Sequence, residues 1–201
     1  MDLLNIFIHL DVYLSDIVSA YGALSYLFLS GIVFLETGIV FTPFLPGDSL
    51  LFAAGALSAL NAFDPRLLII LISFSAILGD TANYWIGQFF GKKLSPKIKK
   101  EYLDKTHEFY EKYGGLTIFA SRFVPIVRTF APFVAGMGKM EYKKFFFWNV
   151  AGGIVWTSLF VSLGYFFGNI PLIKQNFSII VIGIILISVI PIIIEVLKKR
   201  N

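Results

Sequence analysis

Hydrophobic and polar positions along this chain fall into long apolar blocks separated by short, heavily charged stretches. Residues 3–20 form an apolar block interrupted by Asn5, His9, Asp11 and Asp16, which predicts a helix that crosses a bilayer poorly or lies in its interface. The next block, residues 22–41, carries Glu36 and stops at Thr42-Pro43-Phe44-Leu45-Pro46-Gly47-Asp48. Two prolines and a glycine this close together end a helix. Residues 49–63 are apolar again. About 15 residues at about 1.5 Å each fall short of a hydrocarbon core roughly 30 Å thick, so this block reads as a short arm that enters and returns.

A spanning helix is predicted from Pro65 to about residue 90, interrupted by Gly79-Asp80. Over residues 92–112, lysines then alternate with Glu101, Asp104, Glu108 and Glu111. That pattern predicts an amphipathic helix in water or at the interface, with Leu94, Ile98, Tyr102 and His107 on its less exposed side. Residues 115–137 are apolar yet hold Arg122, Pro125, Arg128 and Pro132. Spanning helices follow at 145–167 and 177–196, and the chain ends Lys198-Lys199-Arg200.

Composition sharpens this pattern into a class. Hydrophobic residues make up 57% of the chain and charged residues 15%, with a mean hydropathy of +0.77. A soluble domain carries about 25% charged residues, so the expectation is an all-α integral membrane protein forming one domain over residues 1–201. Met1-Asp2-Leu3-Leu4 has no basic stretch before the apolar block, and the first helix is read as retained. The absence of cysteine excludes disulfides, thiolate metal sites and a cysteine nucleophile. The net charge of +4 resides mainly in loops flanking apolar blocks, which indicates membrane orientation and not nucleic-acid binding.

Basic clusters at 92–112, 139–144 and 198–200 belong on the cytoplasmic face. The segment between the first two must then enter and leave by one face, making 115–137 a re-entrant hairpin. By the same count, residues 22–63 form a hairpin dipping in from the outer face. Two broken hairpins from opposite faces predict an inverted-repeat transporter with its substrate site near the midplane.

Glu36, Asp48, Asp80, Arg122 and Arg128 are charged in apolar surroundings. Each costs at least about 2.5–3.5 kcal/mol at mid-bilayer on insertion scales, so they compensate one another or reach water. They either pair merely to hold the hairpins together or mark a pathway. A break at Pro125 brings Arg122 and Arg128 to one cavity, where arginine suits phosphate oxygens. Glu36 and Asp48 suit proton coupling or counter-charge, because a carboxylate can be neutralised. Asp48 equally fits a helix cap ahead of Ser49. Asp80 and Tyr84 read as helix-packing groups of second rank, and Pro46, Gly47 and Pro125 as the backbone breaks. Neither His9 nor His107 has partners at metal-ligand spacing, and no metal or cofactor is expected. Trp85, Trp148 and Trp156 read as lipid-facing or interfacial anchors.

These motifs resemble the DedA family. Glu36 with Pro43-Phe44-Leu45-Pro46-Gly47-Asp48 is similar to its first signature, and Gly79-Asp80-Thr81-Ala82-Asn83-Tyr84-Trp85-Ile86-Gly87 to its second. The stretch Phe119-Ala120-Ser121-Arg122-Phe123-Val124-Pro125-Ile126-Val127-Arg128, with Pro132 and Ala135-Gly136, is similar to its third. The resemblance implies a membrane domain with two re-entrant hairpins, shared with eukaryotic lipid scramblases. It also implies a link to recycling of undecaprenyl phosphate, dependence on the proton motive force in some members, and essential roles for Glu36, Asp48, Arg122 and Arg128. The expectation is therefore a non-enzymatic, proton-coupled flippase of a polyprenyl phosphate in the cell membrane, with membrane lipids and protons as its partners. General phospholipid scrambling and proton-coupled antiport of a small ion are the alternatives.

Overall fold

The computed structural model describes residues 18, 20–38, 47–98 and 100–171. The sequence readings at 3–20 (apart from Val18 and Ala20), at the Pro43–Pro46 turn, at 177–196 and at the basic C-terminus lie outside these residues. Every regular element among the described residues is helical. In order they are α1 (Ala23–Gly38), α2 (Gly47–Ser58), α3 (Pro65–Leu94), α4 (Lys100–Tyr113), α5 (Thr117–Ser121), α6 (Pro125–Met137) and α7 (Tyr142–Gly168). Short 3-10 turns at Ser95–Lys97 and Gly114–Leu116 flank α4.

Among the described residues, α3 (with the turn that follows it) and α7 are long and apolar enough to cross a bilayer. The start of α3 is set by Asp64, whose Oδ1 accepts from the backbone N–H of Arg66 at 2.8 Å, with Pro65 at the first helical position. Its last turn carries Lys92 and Lys93, which suit the negative end of the helix dipole. Ile70, Phe74, Leu78, Trp85 and Phe89 are exposed along α3, and Phe147, Ile154, Leu159, Leu163 and Phe166 along α7. Apolar stripes of this length are what a helix presents to lipid; on a soluble monomer they would exceed the usual patch size.

The chain divides into two compact units. The first comprises the described residues of Met1–Leu27, Pro46–Ile69 and Ser158–Asn201. There α2 meets the end of α7 through small residues: a Cβ on Gly55 would strike the Val161 carbonyl, and one on Gly164 the Phe52 carbonyl. Such reciprocal glycines let two backbones touch, the close approach that membrane helices use. With 12 residues, α2 reaches only about 18 Å, less than a hydrocarbon core of roughly 30 Å.

The second unit comprises the described residues of Phe28–Leu45 and Ile70–Thr157. Here α6 lies against α3 in the same manner, with Gly136 beside the Tyr84 carbonyl and Gly87 beside the Phe133 carbonyl. The helical path breaks at Arg122–Val124, between α5 and α6, where the proline predicts it. Helix α4 buries Tyr102 and Thr106, and Tyr102 packs on Phe130 and Phe133 of α6. His107, expected on the sheltered face, is exposed. The buried face of α4 carries Tyr102 and Thr106, four residues apart, and His107 falls about 100° away from Thr106.

Candidate functional site

Four of the five apolar-block charges converge inside the second unit. Arg122 and Asp80 are 1% and 2% exposed, and Arg122 Nη2 donates to Asp80 Oδ2 at 2.6 Å. Arg128 Nη2 donates to Glu36 Oε1 at 2.5 Å, again with both groups buried. Asp80 thus does more than pack a helix, because it is the counter-charge of Arg122. Removing one partner of such a pair leaves an uncompensated buried charge, at a cost of about 3–5 kcal/mol.

The local structure explains why these residues meet. Gly79 gives α1 its approach to α3, since a Cβ there would overlap the Thr37 hydroxyl beside Glu36. Asn83, fully buried, donates through Nδ2 to the Thr37 carbonyl at 3.1 Å and to the Thr129 carbonyl at 2.8 Å. One amide therefore ties together the backbones that carry Glu36 and Arg128. Tyr84 pins the turn after α6, donating its hydroxyl to the Met140 carbonyl at 2.5 Å and stacking on Phe145 with ring centroids 4.5 Å apart. Each polar member of the motif from Gly79 to Tyr84 has a contact of its own.

Helix α7 supplies a further face that the motif reading passed over. Asn149 Oδ1 accepts from Arg122 Nη2 at 2.6 Å, while Asn149 Nδ2 donates to the Ile77 carbonyl at 3.0 Å. Gly152 and Gly153 leave the space in which the Arg122 side chain lies, since a Cβ on Gly152 would come within 3.1 Å of Arg122 Cδ. Trp156 is fully buried, not lipid-facing, and takes both cations: Arg128 Cζ lies 5.1 Å and Arg122 Cζ 5.8 Å from its ring. Positions 149, 152, 153 and 156 follow the 3–4–7 spacing of one helix face. A polar and small stripe inside a lipid-spanning block was the available signal.

Arg122 Nε and Nη1 and Asp80 Oδ1 have no hydrogen-bond partner among the described residues. Leaving a buried donor unmade costs about 1–3 kcal/mol, more for charged groups, so Arg122 holds unspent capacity for an oxyanion. The site thus holds two buried arginines, each charge-balanced by a carboxylate of its own. Among the described residues no cluster of histidines and acids has the makings of a metal site.

The remaining predicted residues lie elsewhere. Asp48 is half-buried in the first turn of α2, one residue inside the helix that Gly47 begins, and both belong to the first unit. Pro125 opens α6, and Pro46 lies outside the described residues.

The VTT domain matches residues 45–166. Over 206 residues the chain is 50% identical to Protein DedA of Escherichia coli (strain K12), covering 99% of this chain and 94% of that protein. It is 41% identical over 167 residues to an uncharacterized membrane protein of Mycobacterium tuberculosis (strain ATCC 25618 / H37Rv), covering 80% and 73%. To the inner membrane protein YghB of Escherichia coli (strain K12) it is 33% identical over 156 residues, covering 75% and 71%. No solved structure matches the chain significantly.

Proposed function

The chain belongs to the DedA family of membrane proteins, and from that premise we propose that it carries the headgroup of a polyprenyl phosphate, such as undecaprenyl phosphate, across the cell membrane. The observation that carries this reading is the pair of buried arginines, each neutralised by a carboxylate and both set against the Trp156 ring. At rest the two arginines and two carboxylates sum to zero, so the site is tolerable in low dielectric while empty.

A phosphate monoester brings a charge of roughly −1.5 to −2 and three acceptor oxygens. It competes with Glu36 and Asp80 for the guanidinium forks, which match phosphate geometry better than an ammonium does. The excess negative charge is relieved if a carboxylate takes a proton as the phosphate arrives. Glu36 is suited to this, because it lies in an apolar helix against Arg128, and a proton on it frees that arginine for the lipid. Proton coupling is then a consequence of charge balance. In this topology the turn around residue 95 and the one around 141 face the cytoplasm, and α5–α6 is the hairpin that enters and returns. The matching contacts of α2 on α7 and α6 on α3, each through reciprocal glycines, favour an internally repeated design.

The test is transport by the purified chain in liposomes, with labelled polyprenyl phosphate beside labelled phosphatidylcholine. Arg122→Lys and Arg128→Lys should each lose most polyprenyl phosphate transport, about tenfold or more, while preserving charge. Parent-like transport by either variant would replace bidentate recognition with simple charge balance. Equal transport of both lipids would make the protein a general scramblase. Activity indifferent to an imposed pH gradient, in both parent and Glu36→Gln, would remove the proton from the mechanism.

A further inference from the structure

A cavity in the second unit, about 350 Å³ in volume, lies where α6 ends and α7 begins, and none of the four paired charges lines it. Its inner wall includes the apolar Val134, Ala135, Met137 and Met140, and its mouth carries Lys144 and His107. Both of those side chains are exposed, and among the described residues no carboxylate lines the cavity.

The surroundings place this mouth at the boundary between lipid and water. Lys143 and Lys144 occupy the first turn of the apolar helix α7, and Lys92 and Lys93 the last turn of α3. The two ends are neighbours: Gly91 packs against Met137, and the Trp85 and Tyr142 rings lie 5.3 Å apart. Aromatic rings and lysines gathered at the ends of spanning helices mark the headgroup level.

Lys144 is positioned there. Its stem crosses Gly115, where an added Cβ would lie 2.6 Å from Lys144 Cε and 3.4 Å from the Trp148 ring nitrogen. The missing side chain of Gly115 is what lets the lysine lie across the cavity edge. The volume falls within the range of about 300–1,000 Å³ typical of small-ligand sites.

We propose that this cavity docks the headgroup of an anionic membrane lipid. The lipid phosphate faces Lys144 and His107, and the first carbons of its chain rest on Met137 and Met140. Charge complementarity selects this occupant: a cationic mouth at headgroup level attracts anionic lipid, and the apolar wall behind it accepts the carbons attached to the phosphate. The assignment stands apart from the transport reading, since none of the residues used here belongs to the paired-charge site.

Photolabelling tests it on the full chain in phosphatidylcholine nanodiscs. Trace phosphatidic acid and trace phosphatidylcholine, each bearing a diazirine near the headgroup, serve as probes, and labelled peptides are mapped by mass spectrometry. The anionic probe should label the segment from Met137 to Met140 about fivefold over the neutral probe, the weight of roughly one lysine at a membrane surface. Lys144→Glu should abolish that excess, whereas Lys143→Glu, the same charge change on a neighbour outside the cavity, should keep most of it. Lys144→Gln replaces Lys144→Glu if the latter does not fold, with the same expectation. Equal labelling by both probes, or equal loss in the Lys143 and Lys144 variants, would overturn a defined site in favour of diffuse surface attraction. Loss of labelling on adding millimolar inorganic phosphate would overturn the lipid as occupant.

Discussion

Replacing Asp80 with leucine tests the pairing on which the site depends. The guanidinium of Arg122, 1% exposed, would keep Asn149 Oδ1 at 2.6 Å but lose its only described counter-charge. Arginine does not release its proton, so the charge stays and its desolvation is no longer offset. Breaking a buried pair in this way costs about 3–5 kcal/mol, against about 5–15 kcal/mol for a whole domain. The complementary variant, Arg122→Met, strands a carboxylate instead, and a carboxyl group can take up a proton and become neutral. Acidification to about pH 4, near the ordinary carboxylate range, should therefore restore part of the loss in Arg122→Met and none in Asp80→Leu. In the double variant both charges are gone, and its stability should return to within about 1–2 kcal/mol of the parent, giving a coupling energy of several kcal/mol. Thermal or denaturant unfolding of the purified protein in one detergent reads all four proteins. Parent-like stability of Asp80→Leu would refute the reasoning, as would a double variant no better than the sum of its singles.

Three further outcomes are expected. Gly136→Val should destabilise by about 1–3 kcal/mol, because its new atoms land on the Tyr84 carbonyl, while Gly31→Ala, with open space around it, should be neutral or stabilising; unfolding midpoints compare them. Burial, with smaller contributions from Asp80 and Tyr84, holds the Tyr110 phenol protonated beyond its usual range, and its hydroxyl donates to the Ala131 carbonyl at 2.9 Å. A raised folded value stabilises fully below the unfolded value of about 10 and is lost as pH climbs above it, so Tyr110→Phe should flatten the alkaline fall in stability seen in a pH series of melts. Single cysteines at 95 and 141 of this cysteine-free chain should be labelled from one face of a sealed vesicle and a cysteine at 64 from the other; opposite-face labelling of 95 and 141 would remove the second hairpin.

Much of this protein is legible along the chain because the forces involved are local. Hydropathy over about 20 residues decides what can cross lipid, and the blocks at 65–90 and 145–167 become α3 and α7 on that ground. Proline and glycine end helices through their own backbones, so the break before α6 is written at Pro125. That Glu36, Arg122 and Arg128 are not idle also follows from the cost of any charge in an apolar block. Partnership is a different matter, because it depends on which helices touch. Arg122 finds Asp80 across 42 positions and Arg128 finds Glu36 across 92. Those pairings exist because Gly79, Gly87 and Gly136 let α1 and α6 press onto α3 until their backbones meet. Asn149 and Trp156 stand in a run of apolar residues that reads simply as a membrane span. Only the rotation of α7, which turns one face inward and gives the other to lipid, makes the first a partner of Arg122 and the second a surface for both arginines.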